Sequence, residues 1–412
     1  MDLRRRLATL GPSRPGPATG DKQATLDELR AKMAEILGRP APPEPEPADP
    51  ERTLLPFVRR DTERGPLYQR LERLGRSYRV GRMSVDVSRD AKPEILALLA
   101  LDPGLAEVDL GRALYLDTET TGLGSGAGVL AFLIGLAWFE DDGELVMEQL
   151  LLRRPGEEHA LLELLRERMA RASVLVSYNG KAFDLPLLRG RFVMNRLAAP
   201  PERPHLDLLH VARRLHKRRL GACRLIRLEA DVLGYVRVGD IEGGEVAARY
   251  AHYLRSGDEE ALRAVVDHNA LDVVSMAALV GLYGEPFAAL HDEDLIGLAE
   301  VLHRAKALPE AERAAEAAVE RAFDPEALRV RARIAKARGD RARALADFES
   351  FTREVDDADA RLELAKLYEH HVKSPEKALE MLERGTGEAP ADLERRRARL
   401  ERKAARGAAR SR

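Results

Sequence analysis

Residues Ala113 to Gly124 read ALYLDTETTGLG. Apolar residues run straight into Asp117 and Glu119, and threonines and glycine follow at once. The apolar run predicts a buried strand. Alternate side chains of a strand share a face, so the two carboxylates project side by side from its end. Like charges held that close repel unless a cation lies between them, and ligands that are all oxygen suit magnesium or manganese rather than zinc. On this dipeptide alone, an exposed strand end with ordinary solvated acids would read the same.

The neighbouring sequence extends the strand into an α/β domain, because period-two and period-3.6 patterns alternate along it. VLAFLIGLAWF (Val129 to Phe139) and ELVMEQLLL (Glu144 to Leu152) predict two further strands, with DDG as the hairpin turn between them. Three strands in succession predict an antiparallel meander. Glu157 to Ala170 predicts an amphipathic helix, SVLVSYN (Ser173 to Asn179) a strand parallel to the first, and Ala182 to Asn195 a second helix. Further helices follow, ending with Glu259 to Leu282, whereas Leu54 to Arg112 is too mixed in pattern to assign.

More acids stand at the edges of these elements. SYNGKAFDLPLL places Asp184 near a helix start, just after a buried strand and between Phe183 and Leu185, where an unpaired carboxylate would be costly. VVDHNALDVVSM sets His268 and Asp272 four apart, on one helix face, close to the apolar side carrying Val265, Val266, Val273 and Met276. A lone buried acid is usually capped or paired. Three acid segments at the edges of hydrophobic elements point to a shared cation.

The chain has 412 residues, 45% of them hydrophobic, enough for more than one core. Its longest apolar run, Val129 to Phe139, is too short to cross a bilayer, and MDLRRRLATLGPS lacks the apolar centre of a secretory signal, so no membrane association and a cytoplasmic location are expected. Cys223 stands alone, which rules out an intrachain disulfide and any cysteine cluster for zinc; His205, His210 and His216 do not add a ligand spacing to it. The formal net charge of -2 argues neither for nor against nucleic acid. Local charge is more telling: basic residues gather at Arg213, Arg214, Lys217, Arg218 and Arg219 and again in the tail ERRRARLERKAARGAARSR, while APPEPEPADPE is acidic and proline-rich.

Ala24 to Leu37 carries Leu26, Leu29, Met33, Ile36 and Leu37 at helical spacing before the prolines, which predicts a short helix on a flexible arm. Beyond Leu295, three helix pairs align with a period near that of the tetratricopeptide repeat, and Ala299, Ala332 and Ala365 fall at matching places on their first helices, as do Ala344 and Ala378 on second helices. Stacked helix pairs need small residues where backbones approach. An alanine-rich bundle without a repeat would have much the same composition.

DTETTG, NGKAFD and HNALD, in that order and on these element types, resemble the three motifs of the DEDD 3′–5′ exonucleases on the ribonuclease H-like fold. The intervening HLDLLHVARRL, CRLIRLEADVLG and GDIEGGEVAARYAHYL are similar to the YprB-type (MrfB-type) branch, which joins such a nuclease to C-terminal tetratricopeptide repeats. The resemblance runs from about Gly65 to the end of the repeats. It implies an α/β ribonuclease H-like domain, a mixed sheet flanked by helices, followed by an all-α repeat domain. The expected division is 1–53 as arm, 54–290 as nuclease with an N-terminal extension, 295–388 as repeats and 389–412 as a disordered basic tail. It also implies a phosphodiester hydrolase in which Asp117, Glu119, Asp184 and Asp272 hold two Mg2+ or Mn2+ ions, with His268 as general base. Many members of the wider superfamily place histidine five residues before the last aspartate, or tyrosine four before it. Here histidine takes the four-residue slot, and Asp267 in the other cannot serve as the same base.

Such hydrolysis needs an activated water and an in-line geometry, which two cations supply, and an imidazole with an ordinary pKa near about 6.5 can take the proton. Thr120, Thr121, Gly122 and Leu123 are expected at the substrate: threonine donating to a terminal hydroxyl or phosphate, glycine allowing close approach, Leu123 wedging against the last base. A tight turn with no ligand is the alternative. Tyr178 and Asn179 are placed to touch a nucleotide or to be satisfied within the fold. Arg213, Arg214 and their basic neighbours suit phosphates or a solvated helix face. Asp207 is expected to be structural. The resemblance implies DNA repair, with a single strand or 3′ end as substrate, DNA favoured, and a helicase or other protein on the repeats. An RNA-trimming enzyme and a non-catalytic scaffold are the alternatives.

Overall fold

The computed structural model describes residues 55–122, 128–322 and 324–410, so the N-terminal arm and Leu123 lie outside the described residues. Among the described residues nine strands form: β1 Val58–Thr62, β2 Gly65–Leu74, β3 Arg79–Val80, β4 Met83–Ser84, β5 Ala113–Thr120, β6 Ala131–Phe139, β7 Leu145–Leu151, β8 Val174–Ser177 and β9 His205–Asp207. Seven of them make one mixed sheet in the order β1-β2-β7-β6-β5-β8-β9; β5, β8 and β9 run parallel and the other pairs antiparallel. The meander and the parallel fourth strand lie where the sequence patterns place them. The β1–β2 hairpin comes from the unassigned stretch and extends the sheet beyond β7.

The helices of the first part are α1 Pro93–Ala100, α2 Glu158–Arg171, α3 Asp184–Met194, α4 Leu208–Leu220, α5 Val246–Ser256 and α6 Glu260–Gly284. Alternation along β5 sends Tyr115 to one core, with Val176, Leu206 and the C-terminal half of α6, and sends Leu114 and Leu116 to the other, with Leu161, Leu165 and Phe192 of α2 and α3. By length and composition α6 could cross a membrane, but it lies mostly buried as the core helix. Each fully buried leucine of these layers contributes about 1.5–3 kcal/mol relative to exposure.

One opening in the sheet decides where α6 sits. Asp117 on β5, Gly135 on β6 and Gln149 on β7 lie in register across three strands. A side chain at Gly135 would put its Cβ 2.4 Å from Asn269 Oδ1 and 2.7 Å from Val273 Cγ2. Only glycine therefore lets α6 lie this close over the end of the sheet that carries the acids.

Helices α7 Leu295–Arg304 and α8 Leu308–Arg321, α9 Pro325–Arg338 and α10 Arg341–Glu354, and α11 Ala358–Leu367 and α12 Pro375–Glu383 follow as three hairpins. Ala299, Ala332, Ala344, Ala365 and Ala378 are all fully buried where these helices meet. The stack docks on α4: at Gly297 of α7 a Cβ would lie 2.6 Å from the carbonyl oxygens of Arg214 and Leu215. The basic C-terminal stretch departs from expectation. Pro390–Arg410 is a helix, α13, with Leu400 buried; Arg399 and Lys403 lie 2.8 and 2.7 Å from the buried Glu369, and Arg396 bonds Glu388. Its charge is partly neutralised by the carboxylates of Glu369 and Glu388, on a segment that composition alone reads as solvated.

Candidate active site

The acids expected to act together come from three elements that meet at one end of the sheet. β5 supplies Asp117 and Glu119, the first half-buried and the second buried, on the face covered by α6. A register shift between β5 and β6 at Glu119 and Thr120 marks the same end, a common place for a bulge that re-aims side chains. Thr118 points to the opposite face, where its hydroxyl donates to Oδ1 of Asp184, the buried first residue of α3. α6 supplies His268 and Asp272, both half-buried, while Asp267 is exposed.

The carboxylates feel one another. Burial raises the Asp117 pKa well above the usual range, and the negative charges of Asp272, Glu119 and Asp184 raise it further against the bond from Asn269. Burial likewise pushes Glu119 up to about 7, with His268 opposing and Asp272 and Asp184 reinforcing the rise. Asp184 is pushed to about 6 by burial, partly offset by the Thr118 hydroxyl. Clustered carboxyls whose ionised forms are disfavoured by burial form a donor set suited to a hard cation, whose charge would favour ionisation. Among the described residues, no three acid or histidine side chains enclose an ion as they stand. Two protein groups already hold carboxylates there: Asn269 Nδ2 donates to Asp117 Oδ2 at 2.8 Å, and Arg237 donates to Asp272 Oδ1.

Several members of this cluster were not assigned a role from sequence. Gln149 Nε2 donates to Asn269 Oδ1 at 2.9 Å, which fixes the amide so that its nitrogen faces Asp117, and Arg70 Nη1 donates to Gln149 Oε1 at 3.1 Å. Arg237 is clamped by both oxygens of the buried Glu229 at 2.6 Å. Burial disfavours its charge, but the Glu229 bonds and the Asp272 charge more than offset this, so its pKa is raised. Asp240 Oδ1 lies 2.6 Å from His268 Nδ1, leaving Nε2 toward Asp272 Oδ2 at 3.7 Å. Burial lowers the His268 pKa, yet Asp272 and the Asp240 bond outweigh it, and the net shift is upward. Asp240 stood within GDIEGGEVAARYAHYL, but an irregular segment has no period from which to infer where its side chain points.

The residues expected at the substrate divide. The Thr120 hydroxyl donates to the Gly122 carbonyl at 2.8 Å, and the Thr121 hydroxyl accepts from Leu130 N at 3.0 Å, so both secure the turn, and Thr120 has no proton left for a ligand. Tyr178 donates to the Cys223 carbonyl at 2.7 Å. Asn179 is exposed, in a left-handed conformation with φ of 69°. Asp207 accepts from the backbone of Asn179, Lys181 and Leu209, capping α4 and tying it to the loop after β8. The basic cluster of α4 splits as well: Arg218 and Arg219 are bound to Asp324 and Asp294, so they tie the helical stack to the sheet domain rather than awaiting phosphate. Arg213 is exposed; Arg214 is half-buried and donates to the Leu99 carbonyl at 3.1 Å. His205 bonds Ser177, His216 bonds Tyr283 and lies beside Asp294, and Cys223 donates to the Ala212 carbonyl, so these groups do not gather around a common point.

A mixed sheet with acids converging at the end of its first long core strand, on a helix and on a helix start, is the arrangement of a ribonuclease H-like nuclease fold. Residues 114–283 match the RNase_H superfamily model. The chain is 33% identical over 287 residues to the Uncharacterized protein YprB of Bacillus subtilis (strain 168), covering 67% of this chain and 69% of that one. The chain therefore belongs to the RNase H superfamily, in the family of YprB. A solved family B DNA polymerase from the hyperthermophilic archaeon Pyrobaculum calidifontis is similar over 47% of this chain and 29% of its own length, with 16% identity and a TM-score of 0.30.

Proposed function

We propose that the protein is a metal-dependent 3′–5′ exonuclease of the DEDD type, acting on DNA in a repair context. Its support is the convergence of Asp117, Glu119, Asp184 and Asp272 at one end of the sheet, where burial raises the pKa values of the first three and the neighbouring acids raise those of Asp117 and Glu119 further. These four residues would hold two Mg2+ or Mn2+ ions. When bound, the ions supply activation of the attacking water and neutralisation of charge on the phosphate and leaving oxygen. Arg237 holds Asp272 Oδ1 and is itself held by Glu229, so a bound ion would share Asp272 with it or take its place there.

His268 serves as general base. With its Nδ1 proton on Asp240, the neutral ring offers Nε2 to take a proton from water. Asn269, fixed by Gln149, holds one Asp117 oxygen and aims the other. The three hairpins are read as tetratricopeptide-like repeats that dock a protein partner, a helicase being the companion the resemblance implies.

The test is hydrolysis of end-labelled strands with Mg2+, Mn2+ or chelator, comparing the natural protein with Asp117→Asn. Mononucleotide release from the 3′ end that requires metal and is lost in the variant is expected. Equal silence from both proteins would sink the proposal. Single-stranded, nicked, gapped and RNA substrates in the same assay separate repair of DNA from RNA trimming, since recognition of the 2′-hydroxyl depends on pocket geometry.

A further inference from the structure

Two adjoining hollows run along the junction between α4 and the helical stack. The first, about 360 Å3, is lined by Arg213 and Arg214 of α4 and by Glu300, His303, Arg304 and Arg333 of α7 and α9. The second, about 500 Å3, shares His303 and Arg333 with it and continues to Arg329 and Lys336, with Asp359 and Glu363 at its far side.

The cations of the first hollow differ from those beyond it. In the second hollow Arg329 is paired with Glu326 and Lys336 with Glu363, and outside both Arg331 is paired with Asp347. Arg213, Arg304 and Arg333 are exposed, and among the described residues none forms an ion pair. They also act on one another's surroundings. Burial and then the charge of Arg304 lower the pKa of Arg214, and burial and then the charge of Arg333 lower that of His303. Glu300 is the acid that lines the first hollow, too little to neutralise four arginines. Unpaired like charges collected along a groove destabilise the free protein and favour a polyanion.

The groove also leads somewhere. α4 starts at Asp207, which holds the loop of Asn179 and Lys181 beside the acids, and ends at Arg218 and Arg219, which grip the stack. Arg213 lies between these ends, on the part of α4 that lines the first hollow. We propose that the groove between α4, α7 and α9 carries the sugar-phosphate backbone of a single nucleic-acid strand, with Arg304 and Arg333 on its phosphates and Arg213 handing it to the acid cluster. This deepens the exonuclease assignment and rests on it for the direction of travel. It gives the helical region a part in holding substrate, beyond any docking of a protein.

The test uses the full chain carrying Asp117→Asn, so that binding is read without turnover. Fluorescence anisotropy of a labelled single-stranded DNA of about 20 nucleotides is followed across salt concentrations, with and without Arg304→Glu and Arg333→Glu. The reversals are expected to weaken binding at least about 10-fold near 0.1 M salt, and to lower the slope of log affinity against log salt by about 1.4, roughly 0.7 for each lost contact. Thermal unfolding checks that the variant is folded; if it is not, Arg304→Gln with Arg333→Gln gives the same comparison, with the same drop in slope expected. Unchanged affinity and slope overturn the proposal. So does strand affinity unaffected by the reversals while a poly-glutamate peptide loses its binding, because the groove would then be a dock for an acidic protein. Failure of the unsubstituted chain to hydrolyse any strand would remove the exonuclease assignment but leave this binding comparison standing.

Discussion

Asp240 faces the acid cluster: its carboxylate bonds His268 at 2.6 Å and reaches Arg237 at 3.3 Å. Replacing it by asparagine keeps size and shape but removes the anion that fixes the imidazole tautomer. If His268 takes the proton from water, Asp240→Asn should lower kcat about 10- to 100-fold with little change in KM, as loss of an orienting partner does. A purely structural role would instead change stability and KM together, and steady-state kinetics with a labelled oligonucleotide separates the two. The acids themselves were legible because each sits where periodicity gives it a direction: Asp117 and Glu119 on one face of a strand, Asp184 at a helix start, His268 and Asp272 one turn apart. Asn269 and Gln149 were not, although both are fully buried, since a polar residue inside an apolar element shows in sequence only as a break in pattern. Arg237 and Glu229 were hidden for another reason. Their partnership crosses a π-helical turn, Glu229–Leu233, and a loop, neither of which fixes side-chain direction in advance.

β5, β6, β7, β8, α2, α3 and α6 could be placed from sequence because each has one buried face or is buried on both. β1 could not, because all of VRRDT is exposed and it lies at the sheet edge, paired with β2. The bond between sheet and core helix depends on a residue that no periodicity highlights. At Gly135→Ala, a methyl group would stand 2.4 Å from Asn269 Oδ1 and 2.7 Å from Val273 Cγ2, both on a helix too well packed to yield. Overpacking of this kind costs about 1–3 kcal/mol, to be read by urea unfolding. The chemistry should suffer beyond the stability, since any lift of α6 separates Asn269 from Asp117 and moves His268 and Asp272 together. Gly135→Ala should therefore lose hydrolysis even where it is fully folded. Normal activity with normal stability would mean that α6 is free to shift without consequence for the acids.

The sheet domain and the helical stack are joined by a buried charge cluster. Asp294, at the start of the stack, is 1% exposed; it accepts from Arg219 of α4 at 2.7 Å and lies 2.9 Å from His216 Nδ1. Burial alone would raise its pKa; the bonds and charges of His216 and Arg219 outweigh that and hold it below the ordinary 3.8. For a carboxyl depressed on folding, the stabilisation is complete above the unfolded value and is lost as pH falls through the folded one. The natural protein should thus lose this contribution only below about pH 4. Asp294→Asn removes the anion at every pH and leaves Arg219 and a buried histidine facing a neutral group. Breaking such a pair from one side costs about 3–5 kcal/mol at neutral pH, and the variant should lose less stability than the natural protein as pH falls below about 4. Because Arg218 with Asp324 is the exposed remainder of the tie, calorimetry should show the variant's single unfolding transition dividing into one for the sheet domain and one for the stack. An undivided transition at the same temperature would mean that apolar packing of α7 on α4, including the close approach at Gly297, holds the two parts together without the charges. In that case the strand groove would also keep its shape when Asp294 is changed, so oligonucleotide affinity and unfolding behaviour must move together or not at all.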